Sequence, residues 1–260
     1  MAFKHSVRRF ISRFGIRINR IQPLSRDYEV NIPLRETLQI LKKHDVASVT
    51  DWFEKSIVCA RNSQDDLTKG LFNFIRDTIP KDSRILVTGC GTGGMLFWIA
   101  QQGFSRVEGF DLVPQAINAA KEISERYKLP AKLWVDNGLA PQHIEGKYDL
   151  ITACYWVYSA WMGNYDNPPR EKHERDQLLR EFLAIYAPHL ERNGLLALEL
   201  IDSVADYNEP HCDIYPVRHS EHQVRGIAAE FGLSIAKMIF NRNHGYQPRM
   251  LYFLKNDKGS

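Results

Sequence analysis

The sequence predicts an α/β protein: a doubly wound, mainly parallel seven-stranded sheet with an antiparallel last strand and an N-terminal helical extension. Three observations predict it. From residue 84 onward, short β-prone runs alternate with helical patterns, an order that a parallel sheet with helices on both faces satisfies. The first run, Ile85-Leu86-Val87-Thr88, passes straight into Gly89, Gly91, Gly93 and Gly94 before an apolar helix begins at Met95. The last two runs are joined through Asn243-His244-Gly245-Tyr246, which reads as a hairpin and reverses the final strand.

The elements follow in order. Residues 27–80 read as a helical cap: Leu34, Leu38 and Leu41 repeat at helical spacing, and Val49 to Ala60 and Leu67 to Ile79 form two further helices. Pro80 closes that segment, and Lys81-Asp82-Ser83 turns into strand Arg84–Thr88. Helix Met95–Gln102 stops at Gly103, strand Arg106–Phe110 follows, and helix Pro114–Lys128 carries its proline in the first turn. Ala131–Val135 and Asp149–Ala153 are the third and fourth strands, the latter almost wholly apolar, as a strand covered on both faces must be. Helix Arg175–Leu190 is disturbed near its end by Pro188, and Asn193-Gly194 turns into strand Leu195–Leu200. Helix His222–Phe231 and strands Ser234–Asn241 and Arg249–Leu254 complete an α/β domain over residues 81–255.

Charge and cysteine usage narrow the function classes. A net charge of +3 is too small to argue for a nucleic-acid partner. The four cysteines, Cys59, Cys90, Cys154 and Cys212, form no CxxC pair and suit a reducing compartment, so a cytoplasmic protein is expected. No apolar run approaches 18 residues, and the first residues lack the unbroken apolar stretch of a secretory signal peptide, so neither a membrane span nor a secretory signal is expected.

Residues 1–26 stand apart, with seven Lys or Arg and no acid. On a helix, Phe3, Val7, Phe10, Ile11, Phe14, Ile18 and Ile21 share one face. Three readings stay open: a basic amphipathic membrane-surface or anion-binding helix giving weak contact with lipid, a mitochondrial-type presequence, or a helix docked by its apolar stripe on the main domain.

The glycine turn is the chemical centre. Without a Cβ, glycine lets a ligand lie against the backbone, and the turn feeds a helix start. Gly89, Gly91 and Gly94 satisfy G-x-G-x-x-G, and Asp111 follows 22 residues after Gly89, so a dinucleotide is one reading of the motif.

In combination these segments resemble the class I S-adenosylmethionine-dependent methyltransferases. Gly89-Cys90-Gly91-Thr92-Gly93 is similar to their glycine motif, and Val107-Glu108-Gly109-Phe110-Asp111 to the strand whose terminal acid holds the ribose hydroxyls. Trp134-Val135-Asp136 is similar to the strand end that meets adenine, and Tyr148-Asp149-Leu150-Ile151 to the fourth strand. Leu190-Glu191-Arg192-Asn193-Gly194-Leu195-Leu196 is similar to the turn into the fifth, and the closing hairpin to the reversed last strand. The resemblance implies S-adenosyl-L-methionine as cofactor. It assigns cofactor contacts to Gly89, Cys90, Gly91, Gly93, Asp111, Leu112, Asp136, Asn137 and Cys154. No metal is expected: His211, Cys212, Asp213, His219 and His222 cluster in sequence, but their spacing fits no standard structural zinc pattern. One departure stands out: the family's acid two residues before the first motif glycine is Val87 here.

Methyl transfer from a sulfonium is an in-line displacement, so the protein supplies alignment and, for some nucleophiles, a base. Aromatic rings suit the sulfonium charge. After the fourth strand stands Cys154-Tyr155-Trp156-Val157-Tyr158-Ser159-Ala160-Trp161, placing two Tyr and two Trp where an acceptor pocket is expected, though part of this set is expected to pack the core. The catalytic candidates are Tyr155, Tyr158 and His211, and the substrate-binding candidates Trp52, Arg61, Trp156, Trp161 and Tyr207. The expected partner is a small molecule rather than nucleic acid, with the chain a monomer or homodimer. A cyclase or lyase attacking the aminobutyrate chain, a nicotinamide oxidoreductase and a non-catalytic binding module are the alternatives.

Overall fold

The computed structural model describes residues 30–48, 66–161, 163, 171–201, 217–241 and 249–258. The expected helix 49–60, the basic segment 1–26 and the residues of the closing hairpin turn lie outside them. The described strands are β1 (Arg84–Thr88), β2 (Arg106–Asp111), β3 (Lys132–Val135), β4 (Tyr148–Ala153), β5 (Leu190–Ile201), β6 (Leu233–Asn241) and β7 (Arg249–Asn256). The helices are α1 (Leu34–Lys43), α2 (Asp66–Thr78), α3 (Gly94–Gln101), α4 (Pro114–Tyr127), α5 (Val157–Trp161), α6 (Arg175–Tyr186) and α7 (Glu221–Glu230).

The strands form one sheet in the order β3-β2-β1-β4-β5-β7-β6. The first five run parallel, while β7 pairs antiparallel with both β5 and β6. The doubly wound sheet with a reversed last strand is as the sequence reading has it. Order reverses at β1, between β2 and β4, and such a switch point leaves a crevice at the carboxyl ends of the strands.

Two differences have a local cause. Helix α6 ends at Tyr186, not Leu190, because Pro188 sits in a 3₁₀ turn, Ala187–His189, that replaces its last turn. Strand β5 begins at Leu190, five residues before the expected start: Tyr148 pairs with Leu190, and the register then shifts before Leu150 meets Leu195. Asn193, at φ 62, and Gly194 thus lie within the strand as an irregularity, not ahead of it as a turn.

Apolar packing covers both faces. On one face Phe72 of α2 stacks on Trp98 of α3 with centroids 4.0 Å apart, and Phe74 meets Phe253 of β7 at 4.1 Å. Gly70 lets α2 approach β6, since a Cβ there would lie 2.6 Å from Ile239 Cδ1. These contacts seat α2 over the carboxyl ends of the strands. On the other face Phe182 and Tyr186 of α6 pack with tilted rings 4.6 Å apart, and Trp161 is edge-on to Phe182. Each fully buried Leu, Ile or Phe contributes about 1.5–3 kcal/mol. No described helix is long and apolar enough to cross a membrane.

Candidate functional site

A cavity opens over the switch point. It is lined by the ends of β1, β2 and β4, by the loop after β3, and by α2. Its floor is the glycine turn, where Gly89, Gly91 and Gly93 take φ of 62°, 54° and 90°, the left-handed region that other residues avoid. Cys90 N–H donates to Phe110 O at 2.9 Å, which ties the turn to β2, and Gly93 leads into α3 with Phe97 N–H on its carbonyl at 2.8 Å.

Asp111 closes the turn from the side. Its carboxylate accepts from Gly91 N–H at 2.8 Å and from Val113 N–H at 3.0 Å. Burial raises its carboxyl above the ordinary 3.8, and the backbone donors of Val113, Gly91 and Leu112 pull against that rise. Leu112 beside it is 41% exposed and lines the opening.

Asp136 is placed differently. Its carboxylate accepts from the backbone N–H of Asn137 (2.9 Å), Gln142 (3.0 Å) and His143 (2.9 Å), and from Trp134 Nε1 at 3.3 Å. Burial raises its carboxyl, and these donors outweigh burial to hold it below the usual range. The residues of this loop that line the cavity are Asn137, Gly138 and Leu139.

Beyond β4 stands Tyr155, a non-glycine residue at φ 70. Its N–H donates to Glu199 Oε2 at 2.8 Å, and its hydroxyl is hydrogen-bonded to Thr68 Oγ1 of α2. The Arg249 guanidinium sits 5.5 Å from the centre of its ring. Glu199 and Arg249 form a buried ion pair at 2.5 Å, their side chains 1% and 2% exposed. Trp156 donates from Nε1 to Thr88 Oγ1 at 3.1 Å, and its indole lies against Gly89 and Gly138.

The sequence candidates thus divide. Gly89, Cys90, Gly91, Asp111, Leu112, Asn137, Cys154, Tyr155 and Trp156 line one cavity. Gly93, Asp136, Tyr158 and Trp161 are not among its lining residues; Trp161 is buried against Phe182 and His219. Trp52, Arg61, Tyr207 and His211 lie outside the described residues. Among the described residues no three His, Cys, Asp or Glu side chains form a metal-binding group.

Thr68, Glu199 and Arg249 were not candidates. A signal was present: Glu199 is the one charge in Leu195-Leu196-Ala197-Leu198-Glu199-Leu200-Ile201, an otherwise apolar strand, and Arg249 opens the strand beside it.

The fold and cavity define a Rossmann-like methyltransferase domain. Residues 85–168 match the family profile for a methyltransferase domain. Over 86 residues the chain is 30% identical to the ribosomal protein L11 methyltransferase of Burkholderia mallei (strain NCTC 10229), a match covering 33% of this chain and 27% of that protein. The chain therefore spans about a quarter of the length of the curated relatives it matches. An S-adenosylmethionine-dependent methyltransferase from Clostridium acetobutylicum superposes with a TM-score of 0.55 at 13% identity, covering 74% of this chain and 91% of that one. The cyclase SpnF superposes at 0.54 with 12% identity, covering 74% and 82%. At such identities the structures speak for the fold. Residues 85–168 thus carry a methyltransferase-domain profile, and the solved structures share the fold around it.

The site fits an adenosyl cofactor on its own geometry. Gly89 and Gly91 line the cavity without side chains of their own, with the Trp156 indole against Gly89, and a buried carboxylate stands one strand away at Asp111.

Proposed function

We propose that the protein is an S-adenosylmethionine-dependent methyltransferase acting on a small-molecule acceptor by in-line methyl transfer. The observation that carries this reading is the Gly91–Asp111 bond at 2.8 Å, which fixes a glycine cradle and a buried carboxylate on one apolar cavity. When bound, the cofactor supplies an electrophilic methyl group on a charged sulfur.

In this reading Asp111 accepts from the ribose hydroxyls, and Leu112, Asn137 and Leu139 flank the base. The backbone of Gly89, Cys90 and Gly91 lies along the chain that leads to the sulfur. Trp156 and Tyr155 present rings to the cationic centre, each desolvated contact contributing on the order of 2 kcal/mol. Phe72, Met95 and Ala160 exclude water from the remaining wall.

The test is calorimetric titration with S-adenosylhomocysteine. Asp111→Ala and Gly91→Val each weaken binding strongly. Both also lower the melting temperature, since Gly91 holds φ 54 and Asp111 satisfies the Gly91 and Val113 amides, so affinity is compared at a temperature where each variant is folded. Unchanged affinity in both variants would sink the assignment.

Val87 favours one second reading. Its buried apolar side chain faces the cavity where the family carries an acid. A cyclase or lyase acting on the aminobutyrate chain fits that difference, and the fold does not choose between the two. Mass spectrometry does: S-adenosylhomocysteine marks methyl transfer, methylthioadenosine marks chain cleavage.

A further inference from the structure

Sheet order gives the cavity a direction. Its residues at β2 and after β3, namely Asp111, Leu112 and Asn137, form one end. The glycine turn after β1 is the middle, and Cys154 and Tyr155 after β4 lie at the other end, roughly 10 Å from the first at two strand spacings. A ligand with a nucleoside held at Asp111 and its tail along the glycine turn carries that tail toward β4.

What awaits it there is polar in only a few places. Val87, Phe72 and Cys154 are apolar walls in the same core cluster against which Tyr155 packs. The Thr68 and Tyr155 hydroxyls meet on that wall, bonded to each other across two elements. Bonded to each other, the two hydroxyls keep one proton to give and oxygen lone pairs to receive, which matches a zwitterion: the ammonium on the oxygens and the carboxylate on the remaining proton.

The pair does not form by default. Tyr155 adopts φ 70, and a bulky residue in the left-handed region persists only where its surroundings hold it. Glu199 grips the Tyr155 N–H at 2.8 Å, and Arg249 fixes Glu199 at 2.5 Å while lying over the Tyr155 ring. A buried ion pair is a weak source of stability, since apolar residues of similar volume often serve as well. Its presence beside a strained residue on the cavity wall calls for another reason.

We propose that Tyr155 and Thr68 form the clasp for the zwitterionic aminobutyrate end of S-adenosylmethionine, and that the buried Glu199–Arg249 pair is a positioning device that holds Tyr155 in the clasping conformation. The proposal rests on the adenosyl-cofactor reading above. It assigns to hydroxyls the end of the cavity that Val87 leaves without a carboxylate.

The test compares two thioethers that differ in that end alone: S-adenosylhomocysteine carries the aminobutyrate, and 5′-methylthioadenosine lacks it. Both are titrated calorimetrically into the full chain. Tyr155→Phe and Thr68→Val each lower S-adenosylhomocysteine affinity about tenfold, the loss of one hydrogen bond to a charged group, and leave methylthioadenosine affinity unchanged. The double variant Glu199→Met/Arg249→Met keeps the melting temperature and methylthioadenosine affinity but loses the same preference. Equal weakening of both ligands, or no change in either, overturns the clasp. Retained S-adenosylhomocysteine affinity in a folded double variant overturns the positioning role. Should the double variant fail to fold, Tyr155→Phe decides the clasp and Arg249→Lys, a charge-preserving change, decides the positioning role through the same ratio. A wild-type chain that binds neither thioether overturns the adenosyl reading itself, an outcome distinct from failure of the clasp.

Discussion

The indole N–H of Trp156 donates to Thr88 Oγ1 at 3.1 Å, and Thr88 Oγ1 in turn donates to Thr152 O at 2.8 Å. This chain links the end of β1 to β4 and fixes the ring between the glycine turn and the loop after β3. A Cβ at Gly89 or at Gly138 would overlap the indole.

Gly138→Ala isolates that contact, because Gly89 holds φ 62 whereas Gly138 does not take a positive φ. The added methyl must push the ring or the loop, at a cost of about 1–3 kcal/mol. Gly89→Ala adds backbone strain at φ 62 and costs more. The expected order of melting temperatures is wild type, Gly138→Ala, Gly89→Ala. A shift in tryptophan emission in Gly138→Ala, absent when Trp156 is replaced by Phe, checks that the indole is the group displaced.

Cofactor affinity should depend on pH through Asp111. Burial, the largest influence, holds its carboxyl above 3.8, with the Val113 and Gly91 amides opposing. Ribose hydroxyls donate to the ionised form, so protonation removes their acceptor. Affinity for S-adenosylhomocysteine is therefore flat near neutrality and falls on acidification, beginning at a higher pH than an ordinary aspartate would give. Asp111→Asn is weak throughout and loses the pH dependence. A wild-type affinity unchanged down to pH 4 contradicts the assignment.

The sheet was legible because its signals are local: short continuous apolar runs, a proline in the first turn of α4, glycines at the end of β1. The near end of the site was legible for the same reason, since Gly89, Gly91 and Asp111 are contiguous with those strands. Thr68, Glu199 and Arg249 were not, because what brings them to Tyr155 is packing across α2, β5 and β7, separated by 87, 44 and 94 residues. Asn193-Gly194 misled in the other direction. A left-handed Asn beside Gly marks a turn and a strand irregularity alike, and pairing with Tyr148 decided for the latter.

Asp136 presents a second separable effect. With three backbone donors and Trp134 Nε1 on its carboxylate, the side chain braces residues 137–143. Asp136→Asn turns one acceptor oxygen into a donor facing N–H groups, which costs about 1–3 kcal/mol for the group left unsatisfied. The melting temperature falls accordingly. Amide exchange, read by mass spectrometry, should rise at Gln142 and His143 while β1 and β4 stay protected.

His219 makes a contribution to stability that depends on pH. Its Nε2 lies 2.9 Å from Arg175 O and so carries the proton, while Nδ1 is buried without a hydrogen-bond partner and the ring packs 6.0 Å from Trp161. Burial pushes its pKa below 6.5, outweighing the Arg175 carbonyl and the Asp176 charge, which raise it. Because the folded value is depressed, the unfolded chain takes up the proton first as pH falls. The contribution to stability is whole above pH 6.5 and is lost progressively below it. His219→Gln keeps a donor for Arg175 O and cannot titrate. Urea unfolding at pH 7.5 and pH 5 should therefore show a smaller loss of stability on acidification in His219→Gln than in the wild type, and equal losses would mean that the imidazole is not held neutral by its burial.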